Sequence, residues 1–212
     1  MNGYHCSLEL WDTETGKLLR ILPGHAWKIV ALAFFPDGQT LASASEDNTL
    51  RLWDITSGVE IQEFDVTGHY RGDRNGRQEL ANVQSAVFSR DLKTAFTGAE
   101  GSDLILEWHL SSGKQVSAIR VADSEATVLA ISADGTLLAS SHYSDAIVPS
   151  TIRVSALNAD GIQLACFNTD ESRCNALDFS PDGRLLVSGM ADGTALVWDL
   201  TSARKQAALP AS

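Results

Sequence analysis

Apolar residues along this chain come in short runs closed by turn residues, a pattern that predicts β-strands rather than helices. The run Ile29-Val30-Ala31-Leu32-Ala33-Phe34-Phe35 is continuously apolar, which predicts a strand buried on both faces. Thr49-Leu50-Arg51-Leu52-Trp53 alternates instead, placing Leu50 and Leu52 on one face. The turns recur with the runs. Pro36-Asp37-Gly38 returns as Arg90-Asp91-Leu92, Ala133-Asp134-Gly135 and Pro181-Asp182-Gly183. A second series, Trp11, Trp53, Trp108, Ser155 and Trp198, has intervals of 42, 55, 47 and 43 residues. Gly16, Gly58, Gly113 and Gly161 follow its first four members, and Ala203 departs from the pattern after the last. Each period then holds four strands, here a to d, which predicts an all-β array of β-propeller blades.

The phase of the pattern divides the chain into one array with a c–d half blade at 1–23 and complete four-stranded blades at 24–67, 68–121, 122–168 and 169–212. Lys205 to Pro210 aligns with Lys17 to Pro23 as the last d strand. Eighteen strands on this count are not a multiple of four, so an incomplete or open ring is expected, with self-association through its open ends.

Gly24-His25, Phe35-Pro36-Asp37-Gly38, Leu41-Ala42-Ser43-Ala44-Ser45 and Leu52-Trp53-Asp54 together resemble the WD40 repeat family, and the resemblance extends over nearly the whole chain. Rings of that family usually have seven blades, so the resemblance implies the C-terminal part of a larger propeller. It also implies a hydrogen-bonded chain in each blade, here through His25, Ser43 (or Ser45), Asp47 and Trp53. The second unit offers His69, Thr97 and Trp108, with Ser102 where Asp47 stands and Glu107 in place of Leu52. The third has Asp123 near the expected His, keeps Ser140 and puts Ser155 in place of Trp. The fourth retains Ser188, Asp192 and Trp198, with Thr169-Asp170 where Gly-His would be. Such a chain pairs buried polar groups with one another, a structural role. A Ser-His-Asp triad would also need an oxyanion hole and an accessible nucleophile, so no catalytic residue is assigned.

Composition limits the partners. A net charge of −11 and a pI near 4.7 disfavour nucleic acid and anionic membrane surfaces. No apolar run approaches the length of a membrane span. The five histidines are scattered over four units without ligand spacing, and the Gly-rich segments read as hairpin turns, so neither a metal nor a cofactor is expected. Cys6, Cys166 and Cys174 read as free thiols of a reducing cytoplasm, with a Cys166–Cys174 disulfide as the alternative.

Insertions point to function. His25 to Phe34 spans 9 residues but His69 to Phe88 spans 19, so ten residues enter the d–a connection of the second blade. Five more enter the b–c connection of the third, around His142 to Ser150. Both connections emerge on the same face of adjacent blades. A partner-binding patch is therefore expected from Tyr70, Arg71, Arg74, Arg77, His142 and Tyr143, with Trp27 beside it. The expected function is a non-catalytic scaffold that binds a protein or peptide. The alternative is a propeller-type enzyme, or a regulatory C-terminal module of a signalling enzyme such as a kinase.

Overall fold

Alternating side chains and tight turns produce a series of antiparallel sheets, seen in a computed structural model that describes residues 6–68, 70–72, 78–99, 101–121, 125–143, 150–157, 161–169 and 172–207. The first sheet pairs β1 (Ser7–Trp11) with β2 (Leu18–Pro23). The first blade runs in order through β3 (Ile29–Phe34), β4 (Thr40–Ser45), β5 (Thr49–Asp54) and β6 (Val59–Asp65). A separate hairpin, β7 (Tyr70–Gly72) with β8 (Gln78–Leu80), precedes the second blade. That blade holds β9 (Val83–Phe88), β10 (Thr94–Ala99), β11 (Leu104–His109) and β12 (Lys114–Arg120). The third holds β13 (Glu125–Ile131), β14 (Leu137–Tyr143), β15 (Thr151–Ala156) and β16 (Ile162–Asn168). β17 (Cys174–Phe179), β18 (Leu185–Met190) and β19 (Ala195–Asp199) form the fourth, followed by helix α1 (Thr201–Ala207).

The architecture is the expected propeller arrangement of blades, with one difference. Among the described residues the fourth sheet has three strands, and α1 takes in Lys205 to Ala207, where the expected d strand was to begin; the rest of that expected strand, 208–210, lies outside the described residues. Ala203 supplies the reason. Gly16, Gly58, Gly113 and Gly161 all sit at positive φ, between 65° and 78°, at the turn from c to d. A side chain there is strained, so the tight turn does not form at Ala203. Asp199 instead accepts from the Thr201 amide at 2.8 Å and its hydroxyl at 2.6 Å, capping the segment, and the Ala, Arg, Lys and Gln that follow favour helix. Leu200 and Ala203 are buried against the third and fourth blades.

The period shows in the backbone as well as in the residues. The c–d register shifts at Leu10/Trp11, Leu52/Trp53, Glu107/Trp108 and Val154/Ser155, so a bulge persists in the third blade where the tryptophan does not. The turn that carries Gly38, Gly135 and Gly183 at positive φ also keeps that conformation at Leu92, φ 51°. Leu92 offsets the strain by burial in the core between the first two blades.

Apolar side chains collect in four clusters, each between successive units. On every blade one face carries the tryptophan position and packs backwards, and on the first three the other packs forwards. In the first blade Leu41, Ser43 and Trp53 face β1–β2, while Ala42, Ala44 and Leu50 face the second blade. β3 departs from the expectation of burial on both faces: Leu32 and Phe34 are 53% and 56% exposed. They lie on the backward face, paired with Ser43 and Leu41, where β1–β2 supplies two strands rather than four. Ile21, Val187 and Val197 are exposed on the two end faces of the series.

Candidate functional site

In the first blade four side chains from four segments meet at the backward face. The turn after β2 carries His25, β4 carries Ser43, the β4–β5 turn carries Asp47, and β5 carries Trp53. His25 Nδ1 lies 2.9 Å from Asp47 Oδ2 and its Nε2 lies 2.7 Å from Ser43 Oγ, while the Trp53 indole donates to the same hydroxyl at 2.9 Å. The proton positions follow from valence. A carboxylate only accepts and an indole N–H only donates, so Nδ1 carries the hydrogen toward Asp47 and Ser43 donates to Nε2. His25, Ser43 and Trp53 are all buried. Burial holds the His25 pKa below its ordinary 6.5, although Asp47 pulls the other way, so the imidazole is neutral. Burial alone would raise the Asp47 carboxyl. Hydrogen bonds from the Thr49 hydroxyl, the Ala26 amide and His25 outweigh it and leave the pKa below the ordinary 3.8. The polar groups of the set satisfy one another and the backbone inside the blade, with Asp47 only partly covered.

The other blades keep parts of this arrangement. Trp108 donates to Thr97 at 2.8 Å, and Ser102 is buried and accepts from the Leu104 amide at 3.3 Å. His69 lies outside the described residues, as do Asp123 and Asp170. Trp198 donates to Ser188 at 3.0 Å and stacks on Phe167 at 4.6 Å. Asp192 is exposed; the Thr194 hydroxyl and amide hold its carboxyl below the ordinary value. Thr169, standing where the glycine of Gly-His was sought, is buried, and its one hydroxyl hydrogen is shared between the Ser150 and Ser172 carbonyls. On β1, Trp11 donates to Glu9 at 3.1 Å.

His142 corrects the expected loop patch. It sits in β14, not in a loop, is 2% exposed, and its Nε2 lies 2.7 Å from Ser140 Oγ. Ser140 occupies the position of Ser43, so in the third blade an imidazole from the same strand meets the hydroxyl that His25 meets in the first. Such a residue has no surface to offer a partner. Arg74 and Arg77 lie outside the described residues, and the side chains of Tyr70, Arg71 and Tyr143 are likewise outside them. The backbone of the ten-residue insertion is described in part: Tyr70 pairs with Leu80 and Arg71 with Glu79, making the β7–β8 hairpin. Trp27, in the equivalent connection of the first blade, is 51% exposed. At this same end Asn48, φ 63°, accepts from the Val83 amide at 2.8 Å and ties the first blade to the second. Its signal was an Asn in the b–c turn, a residue type that tolerates positive φ.

Sequence reading also missed Phe96. Ala42, Phe96, Ala139 and Val187 occupy one position, on the forward face of strand b in successive blades. The alanines face blades that have Trp108 and Trp198; Phe96 faces the blade that has Ser155 and packs with Leu129 and Leu138. An alignment of the b strands against the tryptophan positions of the following blades would have found it.

Among the described residues no group of three or more His, Cys, Asp or Glu side chains could hold a metal ion, and no helix is long and apolar enough to cross a membrane. The three cysteines are free; Cys166 is exposed, and Cys174 is buried, which pushes its thiol up.

Comparison with known proteins agrees with this geometry. The model of the WD domain, G-beta repeat family matches residues 16–54 and 161–199. Protein ROOT INITIATION DEFECTIVE 3 of Arabidopsis thaliana is 29% identical over 95% of this chain and 46% of its own length. Autophagy-related protein 16 of the same plant is 25% identical over 94% of the chain and 44% of its own length. The guanine nucleotide-binding protein subunit beta of Oryza sativa subsp. indica is 27% identical, with 94% and 40% covered. The chain thus spans less than half the length of these curated relatives. In fold it is similar to a chain of the Kuenenia stuttgartiensis hydrazine synthase, with a TM-score of 0.71 at 21% identity, over 87% of this chain and 49% of that one.

Proposed function

Because the chain belongs to the WD40 repeat family, we propose that it is a non-catalytic scaffold whose d–a and b–c connections bind a protein or peptide. The observation that carries this reading is the β7–β8 hairpin. It stands in the d–a connection between β6 and β9, on the end of the array where Trp27 is exposed in the preceding d–a connection. A paired hairpin on a rigid blade presents side chains with little ordering cost, and Trp, Tyr and Arg are the types that dominate interface energetics. The proposed contacts are Trp27, Tyr70, Arg71, Arg74, Arg77 and Tyr143. The non-catalytic reading is supported by the first-blade network, whose His25, Ser43 and Asp47 satisfy one another internally.

The test is affinity capture with the wild-type chain and two variants, one with Trp27→Ala and one with Arg71, Arg74 and Arg77 all replaced by Ala. Loss of the same stoichiometric partner from both, with melting unchanged, is the expected result. Undiminished recovery of every partner by both variants would remove this face from the proposal.

A further inference from the structure

At the opposite end of the array, where the a–b and c–d turns emerge, a cavity of about 650 Å³ opens between the second and third blades. Its walls explain its presence. Ile131 and Ser155 both pair with Leu138 and share the backward face of the third blade. Phe96 pairs with Glu107 and shares the forward face of the second. Two positions therefore depart from the repeat across one interface: Ser155 replaces a tryptophan, and Glu107 stands where the other blades have Leu52, Val154 and Val197. Phe96 refills the inner part of the space. The outer part stays open, lined by Phe96, Ile131 and Leu157 with the Glu107 carboxylate among them.

We propose that this cavity receives an arginine side chain from an extended segment of a partner protein, the aliphatic stem against Ile131 and Leu157 and the guanidinium on Glu107. The charge of the walls selects the ligand. Glu107, Asp91 and Asp134 line the cavity together with Arg90, and Lys93 pairs with Asp91 at 3.2 Å, which leaves Glu107 as the carboxylate without an ion-pair partner among the described residues. Asp91 accepts from the Ser89 hydroxyl and Asp134 from the Ser132 hydroxyl within their own turns, so they contribute field rather than free acceptors. Glu107 is different. Its Oε2 accepts from the Ser117 hydroxyl at 2.5 Å, one bond on a group with about four acceptor sites. A carboxylate beside an apolar wall matches a guanidinium on a methylene stem, because the planar fork can engage both oxygens while the stem covers the wall. The chain's net charge of −11 favours approach of a basic segment. This site goes beyond the loop face and stands or falls independently of it.

The probe is an acetylated, amidated pentapeptide with one central arginine between glycine and alanine residues, set against the same peptide with citrulline, which keeps the shape and removes the charge. Methyl NMR of Ile131 and Leu157 reads occupancy. We expect saturable shifts of both methyls with the arginine peptide alone, and binding weakened about tenfold in Glu107→Gln, the loss typical of a charge-assisted hydrogen bond. Ser155→Trp, which drives an indole toward a space Phe96 already half fills, should abolish the shifts. Equal shifts with citrulline, unaltered binding by Glu107→Gln, or no saturable shift in the wild type would each overturn the proposal. Glu107→Gln is isosteric and decides the matter if Ser155→Trp does not fold.

Discussion

The interface between the first and second blades and the one between the second and third are built from the same strands at the same register, yet they are filled in opposite ways. Across the first, Trp108 projects backwards from the second blade toward a face that carries Ala42. Across the second, Phe96 projects forwards from the second blade toward a face that carries Ser155. The large ring has changed sides. Packing conserves the filled volume of an interface more strictly than the identity of the residue that fills it. The exchange is incomplete in two respects. A phenyl ring has no N–H, so Ser140 turns to His142 in its own strand, and the ring does not reach the outer rim, where the cavity beside Glu107 remains.

The largest expected effect breaks the comparison at the tryptophan position itself. Trp53→Ala in the first blade removes a fully buried indole and leaves Ser43 without its donor. We expect a loss of about 3–5 kcal/mol, read as a shift of the urea midpoint. Ser155→Ala at the equivalent place in the third blade should cost less than about 1 kcal/mol. Similar losses from the two would mean that the third blade depends on Ser155 as the first depends on Trp53, and the exchange would be disproved.

A double-mutant cycle sharpens the same point. Phe96→Ala should cost about 3–5 kcal/mol by opening a cavity, and Ser155→Trp about 1–3 kcal/mol by overpacking against Phe96. Together they recreate the arrangement of the first two blades. The pair should be more stable than the sum of the single losses predicts, by about 1–3 kcal/mol. Additive losses would show that the two positions do not share one space.

Much of this could be read before any coordinates. The turn triads and the tryptophan period located blades because each marks a backbone requirement: positive φ at Gly38, or a bulge beside Trp53 that backbone pairing repeats even at Ser155. The His25–Ser43–Asp47–Trp53 contacts were legible through the resemblance to WD40 repeats, and hydrogen-bonding valence accounts for how the groups pair. Three features were not legible, each because it depends on a neighbour. Leu32 and Phe34 look like core residues in β3 and are exposed because β1–β2 covers only part of their face. Alignment made Lys205 the start of a d strand, yet the glycine missing at Ala203 redirects the chain into α1. Spacing placed His142 in an insertion, and the strand simply continues through it to Tyr143.

The smallest effect separates the two kinds of blade by pH. His25 has a folded pKa below 6.5, so as pH falls through the ordinary histidine range the unfolded chain takes up the proton first and stability is lost. Asp47 acts lower: its folded pKa is below 3.8, so its stabilisation is full above that value and disappears as pH falls through the folded one. Melting temperature should therefore decline from about pH 6.5 downward, His25 contributing a slope of at most about 1.4 kcal/mol per pH unit, and decline again below about pH 4. His25→Gln should melt lower at pH 7.5 and lose less between pH 7 and 5. Ser140→Ala, confined to the third blade, should retain the His25 share of that slope. If His25→Gln and the wild type lose equal stability between pH 7 and 5, the neutral imidazole assigned to the first blade is wrong.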